Sequence, residues 1–201
     1  MRLMWEVTKR TSIECEPKPL AVRLSDVRAL GELPFLCLAG VDALPKFSAT
    51  EVRNLRSWLA RGGFLYVECS EPREGSPFDA SVRALLAEVL PGEPLRLAPA
   101  DHVLYRSFYL LTQPVGRVLH KPYFEAIDRD DRSVIVYSQN DACGAWCRDG
   151  GGNWEMDVVP GGARQREMAF RYGVNIVMYA LCGNYKRDQV HVQYLLRRRR
   201  Q

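Results

Sequence analysis

In "FLYVECSEP", residues 64–72, a cysteine stands where an apolar run gives way to a charged loop. Open α/β sheets gather ligands and reacting groups just past the carboxyl ends of their strands. Cys69 is therefore the first residue to weigh as a nucleophile. A thiol serves that purpose when a base or a positive neighbourhood lowers its pKa. Glu68 and Glu71 lie beside Cys69 instead, and carboxylates make a thiolate harder to form. No glycine flanks it to allow the tight backbone of a nucleophile elbow. Among the histidines, His102 in "ADHVLYRSF" is the candidate base, whereas His120 and His191 stand apart from any cysteine or carboxylate motif. The stretch "VYSQNDACGAW" delivers Ser138, Gln139, Asn140 and Asp141 in succession behind a strand-like apolar run. Such residues orient a substrate, or they knit the long loop that follows them to the body through Asx-type turns.

These residues define an expected polar cleft at the strand ends. Glu68, Ser70, His102, Ser138, Asn140 and Asp141 line it, and Trp154 reaches it from a glycine-rich flap, "RDGGGNWE". Cys69, Asp141 and His102 are the candidates for catalysis. Cys143 and Cys147 are spaced C-x3-C with no second ligand pair nearby, so no metal centre is expected; a disulfide between them stays open. Gly150-Gly151-Gly152 follows no buried strand and lacks the setting of a phosphate cradle. No cofactor is expected.

The elements that must position this cleft are written in the apolar periodicity. "FLCLAG" and "FLYVE" are continuous apolar runs, predicting buried strands near 35–39 and 64–68. Between them, "FSATEVRNLRSWLARGG" carries a Ser48–Glu51 capping box and an apolar stripe of Val52, Leu55, Trp58 and Leu59, predicting a helix near 49–61. Strand, helix and strand in this order make a right-handed βαβ crossover with a parallel pair. "PFDASVRALLAEVLPG" predicts a helix near 78–90, and a short amphipathic helix opens the chain at Leu3, Met4 and Val7. Asp26 caps a brief turn in "DVRALGE". "YFEAIDRDDRSVIVYS" reads as two β segments joined by the charged turn 128–131, with the buried strand near 133–138. A helix near 164–181 is expected to stop at Gly183, leaving residues 184–201 as an extended arm on alternating Val190, Val192 and Tyr194, with 197–201 fraying. One three-layer α/β domain over 1–201 accounts for this order.

The formal charge of +4 equals the contribution of Arg197–Arg200 alone, so the rest of the chain is close to neutral. No nucleic-acid recognition module accompanies that cluster, and nucleic acid is not the expected partner. A protein or a small molecule is. The longest apolar stretches fall short of the ~20 residues that span a bilayer. "MRLMWEVTKR" has no apolar core of a secretory signal.

The ordered series "WEVTKRTSIE", "PFLCLAG", "GGFLYVE", "FDASVR", "DHVLYRSFY", "VIVYSQNDACGAW", "GVNIVMYALCGNYK" and "DQVHVQYLLRRRR" resembles a bacterial family catalogued as domain of unknown function 4159, over nearly the whole chain. The resemblance implies a class I glutamine amidotransferase-like, flavodoxin-like sheet, mostly parallel and flanked by helices, with no established activity. Members are often exported or fused to membrane-anchored modules, which leaves the compartment open, the periplasm included. Amidotransferases of that class look like G-x-C-x-G at the nucleophile, with an H-x-E pair downstream. This chain has Glu68-Cys69-Ser70 and no H-x-E. The expectation is a non-catalytic ligand- or protein-binding module on a scaffold lacking the glutaminase residues. The alternative is a hydrolase-like enzyme using the cleft around Cys69 and Asp141.

Overall fold

A computed structural model describes residues 2–73 and 75–198, the side chains of 183–198 excepted. Its elements run α1 Leu3–Arg10, α2 Val27–Glu32, β1 Phe35–Gly40, α3 Ala49–Ala60, β2 Phe64–Cys69, α4 Pro77–Val89 and β3 Arg96–Leu97. A single 3₁₀ turn, Val103–Arg106, precedes β4 Glu125–Arg129, β5 Arg132–Ser138, α5 Ala142–Ala145 and α6 Gly162–Arg198. The sheet has the order β1-β2-β5-β4-β3. β1, β2 and β5 are mutually parallel; β4 runs against them, and β3 pairs antiparallel to β4. Only β4 thus opposes the common direction.

The alternation of side chains along β2 builds both sides of the core. Leu65, Val67 and Cys69 face α3 and α4, where Val52, Leu55, Trp58, Val82 and Leu86 close over them. Phe64 and Tyr66 face α1, α5 and α6, against Val7, Trp146, Tyr172 and Val177. The result is a three-layer α/β arrangement with a mostly parallel five-stranded sheet. The capping box forms as the spacing predicts: the Ser48 N–H donates to Glu51 Oε2 at 2.9 Å, and the Glu51 N–H to Ser48 Oγ at 3.3 Å. Asp26 likewise caps α2 through the Ala29 N–H at 3.0 Å. Asp130 and Asp131 turn the β4–β5 hairpin with φ of 49° and 62°. Two successive left-handed residues match a tight turn to the twist of its strands, and aspartate tolerates that region better than most side chains.

The sequence-based expectation fails in two places. Helix α6 does not stop at Gly183 but continues to Arg198, replacing the extended arm expected from residue 184. A glycine inside a helix costs about 1 kcal/mol, and a helix already nucleated propagates readily through residues such as Lys, Arg, Gln and Leu. The alternation at Val190, Val192 and Tyr194 does not override this. Of the fraying expected over 197–201, residues 197 and 198 instead close the helix, and the remainder, like the expected packing of those side chains, falls outside the described residues. The second difference is α5, a short helix inside what reads as a glycine-rich excursion. No helix among the described residues is long and apolar enough to cross a membrane.

Candidate functional site

Glu68 is the last-but-one residue of β2, and its register partner on β5 is Ser138. Its side chain leaves the sheet on the α5–α6 side and is completely buried. No cation meets it. Its Oε1 accepts the N–H groups of Asn140 and Asp141, both at 3.0 Å, and its Oε2 accepts the Ala142 N–H at 3.1 Å together with the Tyr66 hydroxyl in a short bond. The carboxyl thus holds the backbone leading into α5, where a helix leaves donors without intrahelical partners. Burial pushes its pKa up to about 7, against the pull of these donors.

Asp141 follows, with φ of 53°, a left-handed conformation that turns the chain sharply into α5. Its Oδ1 accepts the Gly144 N–H at 2.9 Å, and its Oδ2 accepts Arg117 Nε in a short ion pair. Burial raises its pKa, with Arg117 acting in the opposite direction. Asn140 uses its whole amide. Its Oδ1 accepts the N–H groups of His120 and Lys121 at 2.8 Å each, and its Nδ2 donates to the carbonyls of Pro114 at 3.1 Å and Lys121 at 2.7 Å. Gly116 passes so close to the Asn140 carbonyl that a Cβ there would collide with backbone. Of the two roles open to these polar residues, Asn140 displays loop-knitting, but the loop it holds is the preceding one, 114–121, and not the following one that the sequence suggests.

Cys69 is fully buried, with Sγ 3.6 Å from the Ser76 hydroxyl, and burial pushes its thiol pKa up. Ser70 lies just beyond β2, its N–H donating to the Gly40 carbonyl at 2.9 Å. Ser138 is buried beside the Tyr172 hydroxyl, and among the described residues neither hydroxyl makes a well-aligned hydrogen bond. His102 is not in this group. Its Nε2 meets Ser133 Oγ at 2.9 Å, at the opposite end of β5 from Ser138 and roughly 16 Å along the strand. The 3₁₀ turn after His102 is tied to α6 by Asn175, which donates to the Leu104 carbonyl at 2.9 Å, and this holds the imidazole across the sheet face. Nor is it a general base there. Nδ1 accepts the Leu104 N–H at 3.1 Å, so in the neutral ring Nε2 carries the proton and donates to Ser133, which in turn donates to Asp128 at 2.5 Å. Burial lowers the His102 pKa and favours that neutral form. Trp154 has the guanidinium groups of Arg148 and Arg166 at 3.9 Å and 4.2 Å from its ring, and it lines neither of the cavities described next.

Outside the buried carboxylates, an open depression of about 610 Å³ lies at the carboxyl ends of the strands. Its polar wall is Glu71, Arg73, Arg117 and His120, and Val159 and Pro160 form its apolar side. Glu71 and Arg73 come from the loop after β2, Arg117 and His120 from the loop that Asn140 holds. Arg117 spends Nε on Asp141, and its two terminal nitrogens have no hydrogen-bond partner among the described residues. An apolar cavity of about 270 Å³, walled by Leu111, Val115 and Met168, adjoins it through Leu119 and Pro160. Sequence reasoning misses Arg117. The available signal is a charge inside the apolar run "PVGRVL", because such a charge calls for a buried partner.

The chain belongs to the family described as "Domain of unknown function (DUF4159)", whose model matches residues 1–181. No curated protein matches it.

Proposed function

We propose that this protein is a non-catalytic binding module on an amidotransferase-like scaffold without the glutaminase residues, and that its strand-end depression takes a small ligand bearing a carboxylate or phosphate. The supporting observation is how the polar groups divide. Of the candidates for catalysis at the strand ends, Cys69 and Asp141 are buried, as is Glu68, and both carboxylates are engaged in internal hydrogen bonds, which leaves Glu71 and His120 as the titratable groups beside the arginines of the open depression. Arg73 and Arg117 line the open depression, and the Arg117 guanidinium is pre-oriented by its Asp141 pair. A planar guanidinium with two free terminal nitrogens matches the paired oxygens of a carboxylate or phosphate.

Titration calorimetry with inorganic phosphate and with succinate tests this. Binding of either that weakens at least fivefold in Arg73→Gln, with an unchanged melting temperature, is the expected result. Binding of neither, or equal binding by wild type and Arg73→Gln, would overturn the assignment of ligand and site. Hydrolysis of an amide or ester panel that disappears in a folded Cys69→Ser or Asp141→Asn protein would overturn the non-catalytic reading.

A further inference from the structure

The cysteines present a pairing that the C-x3-C spacing does not suggest. Cys37 lies on the edge strand β1, on the same face as Phe35, because side chains alternate along a strand. That face looks toward α5, and Cys37 Sγ sits 3.7 Å from Cys143 Sγ across a sequence separation of 106 residues. Cys37 is exposed and Cys143 is buried. Cys147, one helical turn further on, directs its thiol to the Cys143 carbonyl at 3.2 Å instead. All three are free thiols.

We propose that Cys37 and Cys143 form a reversible disulfide, with exposed Cys37 as the entry point for the oxidant. The sulfurs need to approach by under 2 Å to reach a bond of about 2.05 Å. The co-reactant is a small-molecule disulfide. The Cys37 thiolate attacks one of its sulfurs and expels a thiol, leaving Cys37 in a mixed disulfide. Cys143 then loses its proton and attacks Cys37 Sγ, expelling the second thiol. Two protein thiols are oxidised, one external disulfide is reduced, and two protons pass to the departing thiolates. The neighbouring Cys37 and burial push the Cys143 thiol pKa well up and keep it protonated at rest, so it attacks only once Cys37 Sγ has become part of a mixed disulfide.

The bridge joins the outer edge of the sheet to α5, between Ala142, which Glu68 holds, and Gly144, which Asp141 holds. Closing so long a loop stabilises the folded state mainly by restricting the unfolded chain. The test incubates the full chain with oxidised glutathione, removes excess, and maps disulfides by non-reducing peptide mass spectrometry alongside thermal melts. A Cys37–Cys143 linked peptide is expected, with a melting temperature raised by on the order of 5–10 °C and restored by dithiothreitol. Cys37→Ser, an exposed substitution, should abolish both signals, and Cys147→Ser should retain both. A Cys143–Cys147 linkage, glutathione left stably on Cys37, or an oxidative shift that survives in Cys37→Ser would overturn the proposal.

Discussion

The two ends of β5 use the same kinds of side chain in opposite ways. At its carboxyl end, Glu68, Asn140 and Asp141 bond mostly to backbone: three N–H groups on Glu68, four backbone groups on Asn140, one on Asp141. At its start, Asp128, Ser133 and His102 pass a hydrogen bond from one side chain to the next, with His102 only half-buried. Both ends contain residue types that a search for chemistry would select. The first has become part of the chain's own wiring, so its loss disturbs the path of the backbone. The second is a relay that runs from half-buried His102 through buried Ser133 to exposed Asp128, so its outer end can turn to water. Residue type therefore says little about role until the partners are known.

The sharpest way to break this contrast is Glu68→Gln. The substitution puts an amide donor where backbone N–H groups already point, and leaving buried donors facing one another should destabilise by about 3 kcal/mol or more. A urea denaturation midpoint that barely moves would remove the distinction between the two ends. Close behind comes the pH dependence of the wild type. Glu68 is raised from 4.5 in the unfolded chain to about 7 in the fold. The folded state thus holds its proton more tightly, and that contribution is present below about pH 4.5 and lost as pH rises through 7. The loss is on the order of 3 kcal/mol, and the slope should vanish in Glu68→Gln. Asp141→Asn keeps an oxygen for the Gly144 N–H and a residue type that tolerates φ of 53°, but it gives up the charge opposite Arg117. A loss of about 1–2 kcal/mol is expected, measured by the same titration. Smallest is the opposite end of the strand. Ser133→Ala should cost about 1 kcal/mol. The lowered His102 pKa runs with the reverse sign, its stabilisation being complete above pH 6.5 and lost as pH falls below it. His102→Gln should erase that acid-side slope and leave the Glu68 slope intact.

The frame was legible wherever physics acts over a few residues. Apolar runs marked β1, β2 and β5, and the Ser48–Glu51 box and the aspartate-rich turn marked α3 and the hairpin. The gathering of Glu68 with Asn140 and Asp141 was legible too, because both segments end buried strands. Their roles were not. α5 is only Ala142–Ala145, and its start is held by Glu68, more than 70 residues earlier, which no local pattern records. The placement of His102 depended on which end of β5 its loop would cross, and Asn175 on α6 decides that. The depression is lined in part by residues 117–120 of a segment without periodicity, tied down by Asn140, Asp141 and Gln165 from distant parts of the chain. The continuation of α6 past Gly183 reflects propagation from a helix already formed, which a stop signal read residue by residue does not weigh.

The clamp on that segment has an isotopic consequence. Arg117 and Val118 donate their amide hydrogens to the carbonyls of Asp141 and Asn140, and His120 and Lys121 donate theirs to the Asn140 side chain. Leu119 and His120 nevertheless lie on the surface. In deuterated solvent an exposed loop ordinarily takes up label within the earliest time points, whereas these four amides can exchange only when the strip peels away from residues 140 and 141, just past β5. They should therefore label late and together, at the pace of a strand, and in Asn140→Ala they should label early, ahead of any change in the amides of β2.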